Sequence, residues 1–324
     1  FRAIEPTTSP KTRISYAYDI RLFFQFLIEE NPVYKHHSIK DFQVQDLEAI
    51  QPVDIEEYLE YLKVYDTTDV HTKETKQVTN SERGLFRKMS ALRSFYNYFF
   101  KRQIIQKNPT LFVDMPKLHD KAIIRLDTDE VAKLLDYVES AGEHLTGQAL
   151  AYYQKTKNRD LAILTLLLGT GIRVSECVGL NLTDVDFKNN GITVTRKGGS
   201  QMVVYFGDEV RDALLSYWEE RSIITPAEGH ANALFLSLQR KRISVRSVEN
   251  LVKKYSRLVT TVKNITPHKL RSTYGTTLYQ ETGDIYLVAD VLGHKDVNTT
   301  RKHYAAQEDS RRRAAARVVH LRED

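Results

Sequence analysis

Apolar residues recur along this chain mostly at helical spacing, and only one stretch shows the two-residue alternation of strands. Ser9-Pro10 opens a helix to about Glu29 in which Tyr16, Ile20, Phe23 and Leu27 share a face, and Asn31-Pro32 ends it. A second helix runs from Pro52 or Asp54 to about Val64. Tyr65 to Gln77 is polar and rich in Thr and Lys, which predicts a surface loop. A strong helix follows from Asn80 or Ser81 to about Lys101. Leu85, Met89, Leu92, Tyr96 and Phe99 form its buried stripe, and Arg83, Arg87, Ser90 and Ser94 lie off it.

Asn108-Pro109 and Met115-Pro116-Lys117 read as a linker running to about Arg125, after which helical signals resume at Asp127 or Thr128. Asn158 to Leu168 is apolar on nearly every side, a helix buried in a core. Gly169-Thr170-Gly171 breaks it before Arg173-Val174-Ser175-Glu176 resumes. Two strands, 191–195 and 202–206, flank the turn Arg196-Lys197-Gly198-Gly199-Ser200. Helices over about 208–221 and 244–262 come next. Thr266-Pro267 opens another, Asp284 to Leu292 forms one that stops at Gly293, and a last one from Asp296 or the Asn298-Thr299-Thr300 cluster carries Tyr304. The expected fold class is mainly α with a small β-hairpin in the second of two domains, divided as residues 1–116 and 117–324.

The 324 residues suffice for two cores, and 41% hydrophobic with 27% charged residues suits a globular protein. No apolar run is long enough to span a bilayer, so no membrane partner is expected. The opening F-R-A-I-E-P carries neither an initiator Met nor an apolar leader, which reads as a trimmed start. A single cysteine, Cys177, excludes an internal disulfide and a cysteine-rich zinc site and suits an intracellular location. A net charge of +5 is compatible with nucleic-acid binding, and basic residues cluster at Arg240, Lys241, Arg242 and Arg246 and again from Arg301 to Arg317.

The candidate chemistry sits in the last third. His268 and Arg271 leave one helix face, His294 lies just past a helix end, and Tyr304 follows. Arg offers a planar fork to phosphate oxygens, His donates or moves protons, and Tyr supplies an oxygen nucleophile. Upstream, Arg173 stands where a glycine-rich turn meets a helix start, and Glu176 three residues on can hold its guanidinium. The same spacing also fits an ordinary surface ion pair. Lys197, at a hairpin tip, is either a solvated turn lysine or a group reaching beside a phosphate.

The texts G-T-G-I-R-V-S-E, R-K-G-G, T-P-H-K-L-R-S-T, L-G-H and T-T-R-K-H-Y, in this order over roughly residues 120–305, resemble the tyrosine recombinases, the lambda-integrase family. Within it the likeness is greatest to Xer-type recombinases of the single-protein streptococcal kind, which share the polar insert before K-N-R-D-L-A-I, the T-R-K-G-G hairpin and A-L-F-L-S-L. Ser272 stands where many relatives have His, and His294 where some have Trp. The helical first domain resembles the family's SAM-like core-binding domain by size and pattern.

The resemblance implies a site-specific DNA recombinase acting through a 3′-phosphotyrosyl intermediate and a Holliday junction, in an Xer-like role in chromosome dimer resolution. It makes Tyr304 the nucleophile, Arg173, Arg271 and His294 a clamp on the scissile phosphate, Lys197 the general acid, His268 a proton acceptor and Glu176 the support of Arg173. No metal and no cofactor is implied. Partners are a double-stranded site of inverted half-sites, further copies of the chain (a dimer per site, a tetramer in the synapse) and a DNA translocase. Arg83, Arg87, Ser90, Arg196, Arg240, Lys241, Arg242 and Lys269 are the expected DNA contacts, and the location is cytoplasmic and nucleoid-associated. Residues 305–324, rich in Ala and Arg, form either a helix docking in a neighbouring subunit, one folded back on its own domain, or a basic tail on DNA. An integrase or excisionase of a phage or conjugative transposon would use the same chemistry, though such enzymes often carry an arm-binding domain ahead of a first helix like the one at Ser9. A type IB topoisomerase or a non-catalytic DNA-binding protein fits less of the pattern.

Overall fold

The computed structural model describes residues 4, 8–68, 72–119, 123–196, 198–294, 296–298 and 300. The chain divides into two compact units, Phe1–Lys121 and Ala122–Asp324. None of the described helices is long and apolar enough to cross a membrane.

The first unit is built on α1 (Pro10–Glu30) and α4 (Glu82–Lys101), with α2 (Val44–Ala49) and α3 (Pro52–Tyr61) closing its core. Helix α1 starts where Ser9 accepts from the Thr12 amide, with Pro10 at the first position, where a missing N–H goes unnoticed. Its apolar face buries Phe23, Phe26 and Leu27 against Tyr58, Met89, Leu92 and Tyr96. One polar knot crosses this packing. Asp19, buried on α1, pairs with Arg87 of α4, while Lys88 donates to Asn80 Oδ1 at 2.7 Å and Asn80 donates to the Leu62 carbonyl at 2.7 Å. Burial pushes the Asp19 carboxyl up from its usual range, and the two cations beside it oppose that shift.

The segment expected as a loop contains a hairpin instead. Strand β1 (Val64–Thr68) pairs antiparallel with β2 (Thr75–Thr79) in register Val64↔Thr79 to Thr68↔Thr75. The strands carry β-branched Val and Thr at most positions, but both faces are largely exposed, so no apolar alternation marks them. Tyr65 stacks on Tyr61 at 5.3 Å and ties the ribbon to the core.

In the second unit everything packs round α7 (Lys157–Thr170), whose Ala162, Ile163, Leu164, Leu166 and Leu167 are all buried. Each of the leucine and isoleucine side chains contributes about 1.5–3 kcal/mol. Around it lie α5 (Thr128–Ser140), α8 (Val174–Gly179), α9 (Asp208–Ile223), α10 (Val245–Val259) and α11 (Pro267–Thr282), with α6 (Gly147–Gln154) before it and α12 (Ile285–Leu292) after α11. Helix α7 continues through Gly169 to Thr170, two residues past the expected end at Leu168, and Gly171 caps it. There φ is +61°, a conformation that suits glycine and closes the helix. Cys177 is fully buried and its thiol is pushed up to about 12 by desolvation, so it is a core residue.

A three-stranded antiparallel sheet, in order β3-β4-β5, lies beside these helices: β3 (Val185–Asp186), β4 (Gly191–Thr195) and β5 (Gln201–Tyr205). Its β4–β5 hairpin pairs Gly191↔Tyr205 through Thr195↔Gln201. The turn between them closes with the Arg196 amide donating to Ser200 O at 2.8 Å and the Gly199 amide to Arg196 O at 3.0 Å. The expected last helix is described only at its start, where residues 297, 298 and 300 are helical; Tyr304 and the 305–324 tail lie outside the described residues.

Replacing Leu164 by Ala leaves a cavity that neighbours on several helices cannot jointly fill. The expected cost is ~2–5 kcal/mol of unfolding free energy, read as a lowered urea midpoint at unchanged slope. A loss under 1 kcal/mol would mean that α7 is not the packing centre.

Candidate active site

Five described residues of the expected constellation belong to the second unit, and four of them meet around one helix end. Helix α12 begins where the Asp284 carboxylate accepts from the Tyr286 and Leu287 amides at 2.8 and 3.1 Å. It ends at Gly293, φ +61° and ψ 47°, leaving the last carbonyls without partners along the helix. Those carbonyls carry the negative end of the helix dipole and attract cations.

Three guanidinium groups from three different elements take them up. Arg196, after β4, donates through Nη1 to Leu292 O and through Nη2 to Val291 O, both at 2.8 Å. Arg271 of α11 donates to the same Leu292 carbonyl, and through its other nitrogen to Gly171 O at 2.5 Å. Arg173 donates to Gly293 O at 3.3 Å. The left-handed turn at Gly171 aims that carbonyl at Arg271. A Cβ there would stand 2.3 Å from the Tyr274 ring, so only glycine fits.

Glu176 supplies the counter-charge. Its Oε2 accepts from the Arg173 amide at 2.8 Å, capping α8, while Oε1 accepts from Arg173 Nη1 at 2.8 Å and lies 3.8 Å from Arg196 Nη1. The carboxylate is 3% exposed and the Arg173 side chain 36%, so this is no surface ion pair: the acid is behind and the fork faces outward. Burial pulls the Arg196 pKa down and Glu176 acts against it. Arg173 and Arg196 lie beside this carboxylate, and Arg271 joins them at the helix end, so basic side chains predominate there.

His294 follows Gly293 directly. Its amide donates to Ala289 O at 2.9 Å, and its Nδ1 lies 2.7 Å from Thr300 Oγ1, which fixes the ring. His268 stands exposed in the first turn of α11, one turn from Arg271, and its carbonyl accepts from Ser272 at 3.1 Å. Lys197 and Tyr304 lie outside the described residues.

The expected DNA contacts divide. Arg83, Arg240 and Lys241 are exposed, and Lys269 is half-buried. Arg87 is 45% exposed but tied to Asp19, and Ser90 donates to Phe86 O at 2.7 Å within its own helix. Two of the set are turned onto the protein instead, Arg196 buried and Arg242 half-buried. Arg196 is 9% exposed on the α12 carbonyls, and Arg242 donates to Val178 O, Leu180 O and Asn181 Oδ1. Both sit among carbonyls that end a helix, which draw a guanidinium inward more strongly than solvent holds it out. The sequence reading missed this anchoring and the Thr300–His294 contact; the Gly in L-G-H was the signal that a helix ends there. Among the described residues no three His, Cys, Asp or Glu side chains are grouped to hold a metal ion.

Against known proteins, the model of the phage integrase family matches residues 124–311. A tyrosine recombinase XerC of Caldanaerobacter subterraneus subsp. tengcongensis is 34% identical over 318 residues, covering 95% of this chain and 81% of its own. A tyrosine recombinase XerS of Streptococcus thermophilus is 33% identical over 311 residues, covering 89% and 85%. Among solved structures, an XerH site-specific recombinase bound to its difH substrate matches with TM-score 0.62 at 19% identity over 89% of this chain and 74% of its own. A Tn1549 transposon integrase in complex with transposon right end DNA matches with TM-score 0.68 at 21% identity over 98% and 96%. Both likenesses are of fold.

A methyl group on Gly293 would stand 2.6 Å from Arg196 Nη1 as well as straining a left-handed backbone. Gly293→Ala is therefore expected to lose ~1–3 kcal/mol of stability. Gly179→Ala, where a Cβ meets nothing within 4 Å, should change it by less than about 1 kcal/mol. Equal urea midpoints for the two variants would refute the close approach.

Proposed function

We propose that this chain, which belongs to the phage integrase family of tyrosine recombinases, is a site-specific DNA recombinase that cuts and rejoins double-stranded DNA through a 3′-phosphotyrosyl intermediate. The observation that carries this reading is the meeting of Arg173 and Arg271 on consecutive carbonyls at one helix end, with Glu176 buried behind them and His294 next in sequence.

In the cleavage step the Tyr304 oxygen bonds to phosphorus as the bond to the 5′-oxygen breaks. The phenolic proton passes to His268, and the departing 5′-oxygen takes a proton from Lys197. Charge grows on the non-bridging oxygens in the five-coordinate transition state, where Arg173, Arg271 and His294 donate to them. Because Glu176 and the helix carbonyls already hold the guanidinium groups, little reorganisation is needed when that charge appears. One phosphate ester replaces another, so bond energy is kept for rejoining, when a 5′-hydroxyl attacks the phosphotyrosyl link.

The second unit carries this chemistry. The first unit, through the outer face of α4 with Arg83 and the exposed part of Arg87, holds the DNA backbone; Arg240, Lys241 and Lys269 do so from the second unit. The target is a site of two inverted half-sites, bound by a dimer and joined by strand exchange in a tetramer, with residues 305–324 linking neighbouring copies. Relatives named XerC and XerS, which align with 95% and 89% of this chain, support an Xer-like role in resolving chromosome dimers, with a DNA translocase as partner and the cytoplasmic nucleoid as location.

Tyr304→Phe removes only the phenolic oxygen. It is expected to bind half-site DNA with unchanged affinity in a gel shift and to form no SDS-resistant adduct on a suicide substrate. An adduct with this variant would remove Tyr304 from the nucleophile's role.

Arg173→Ala and Arg271→Ala are expected to slow single-turnover cleavage ~10²–10³-fold, as for losing a donor aimed at transition-state charge. Lys at either position should restore little, since an ammonium cannot reproduce the planar fork. Rates within fivefold of the parent would contradict the clamp.

A further inference from the structure

Arg196 satisfies the Val291 and Leu292 carbonyls, but a buried cation is a costly donor for that purpose alone. It is 9% exposed, its Nε has no hydrogen-bond partner among the described residues, and Arg173 and Arg271 already meet the same helix end. A buried, incompletely satisfied ion is more often a cost to folding than a gain, so its presence asks for another explanation.

Geometry supplies one. The Arg196 backbone closes the β4–β5 turn, while its side chain reaches the end of α12 and grips two successive carbonyls, Leu292 O and Val291 O, at 2.8 Å each. The turn itself has little stiffness. Gly198 and Gly199 have φ of +103° and +88°, and a Cβ on either would meet nothing within 4 Å. Among the described residues, no other side chain of 198–200 bonds to α12. The helix end, by contrast, keeps Arg173 and Arg271 if Arg196 is lost. Removing Arg196 thus frees the turn far more than the helix end. The next residue in sequence is Lys197.

We propose that Arg196 is a positioning residue: its two-pronged grip on the Val291 and Leu292 carbonyls fixes the β4–β5 turn against the helix end that leads to His294, so that Lys197 delivers its proton to the departing 5′-oxygen. The inference rests on the reading of Lys197 as the general acid. It concerns one proton, which moves from the Lys197 ammonium to the 5′-oxygen as the phosphorus–oxygen bond breaks and leaves a neutral amine. Arg196 also shares Leu292 O with Arg271 and the Glu176 carboxylate with Arg173, so a loss through the acid has to be told apart from a loss through the clamp.

A leaving group that needs no proton separates these possibilities. Single-turnover cleavage is measured for the full chain on two half-site suicide substrates, one with the natural 5′-oxygen at the scissile bond and one with sulfur in its place. A thiol has a pKa of about 8.5 and departs as thiolate without an acid. Lys197→Ala should be slow on oxygen and close to the parent protein on sulfur. Arg196→Ala should follow it, falling ~10–100-fold on oxygen, the range for a displaced catalytic group, and staying within about threefold of the parent on sulfur. Arg196→Lys keeps the charge without the fork and should resemble Ala. The ratio of the two rates, taken on one preparation, does not depend on the fraction of correctly folded protein. Equal loss on both substrates by Arg196→Ala, with Lys197→Ala rescued by sulfur, overturns the positioning role alone. Failure of sulfur to rescue Lys197→Ala overturns the acid assignment and this inference with it.

Discussion

A helix that stops in the interior leaves carbonyl oxygens facing a medium without water, and each must find a donor. At the end of α12 the donors are three arginines that lie between 21 and 120 residues along the chain from the carbonyls they meet. This one demand sets the arrangement of the candidate site. It draws the segment after α7, the β4–β5 hairpin and α11 to a single point, and it does so with groups that retain positive charge. On the proposed function, a phosphate approaching that point would meet forks that were oriented for another reason.

The opposing cost is repulsion among the guanidinium groups, and Glu176 answers it. Without that carboxylate, three cations would crowd a nearly buried space, where charge interactions are far less screened than in water. The fold therefore holds one acid fully inside and leaves Arg173 partly outside, a graded arrangement that keeps both the structural and the chemical demand met. The first unit shows the same solution in smaller form. Asp19 on α1 faces Arg87 and Lys88 on α4; the acid and Lys88 are buried and Arg87 is partly exposed.

What the sequence discloses depends on whether its signal is local. The helices with wide apolar stripes, α1, α4 and α7, are legible because burial imposes a period. So are Thr266-Pro267 and Gly293 as a helix start and stop, and Arg173, Glu176, His268, Arg271 and His294 through their motifs. The β1–β2 ribbon escapes because neither of its faces is buried, so nothing forces its side chains to alternate. The short α2 and α6 escape because six or eight residues hold too few turns to show a period. The inward turn of Arg196 and Arg242 escapes for a different reason. A basic residue beside a glycine turn looks the same whether its partner is solvent, a DNA phosphate or a carbonyl a hundred residues away. Only the folded arrangement tells which.

Glu176 has one further consequence. The same carboxylate caps the first turn of α8 through the Arg173 amide and orients the Arg173 guanidinium. Helix α8 is only six residues long, and short helices open at their ends more readily than long ones. Fraying of this turn therefore removes one of the two holds on the fork and leaves it on Gly293 O alone. The time the fork spends correctly aimed is in part a thermodynamic property of one helical turn, set as much by the packing of Ile172 and Cys177 beneath it as by any charge at the surface.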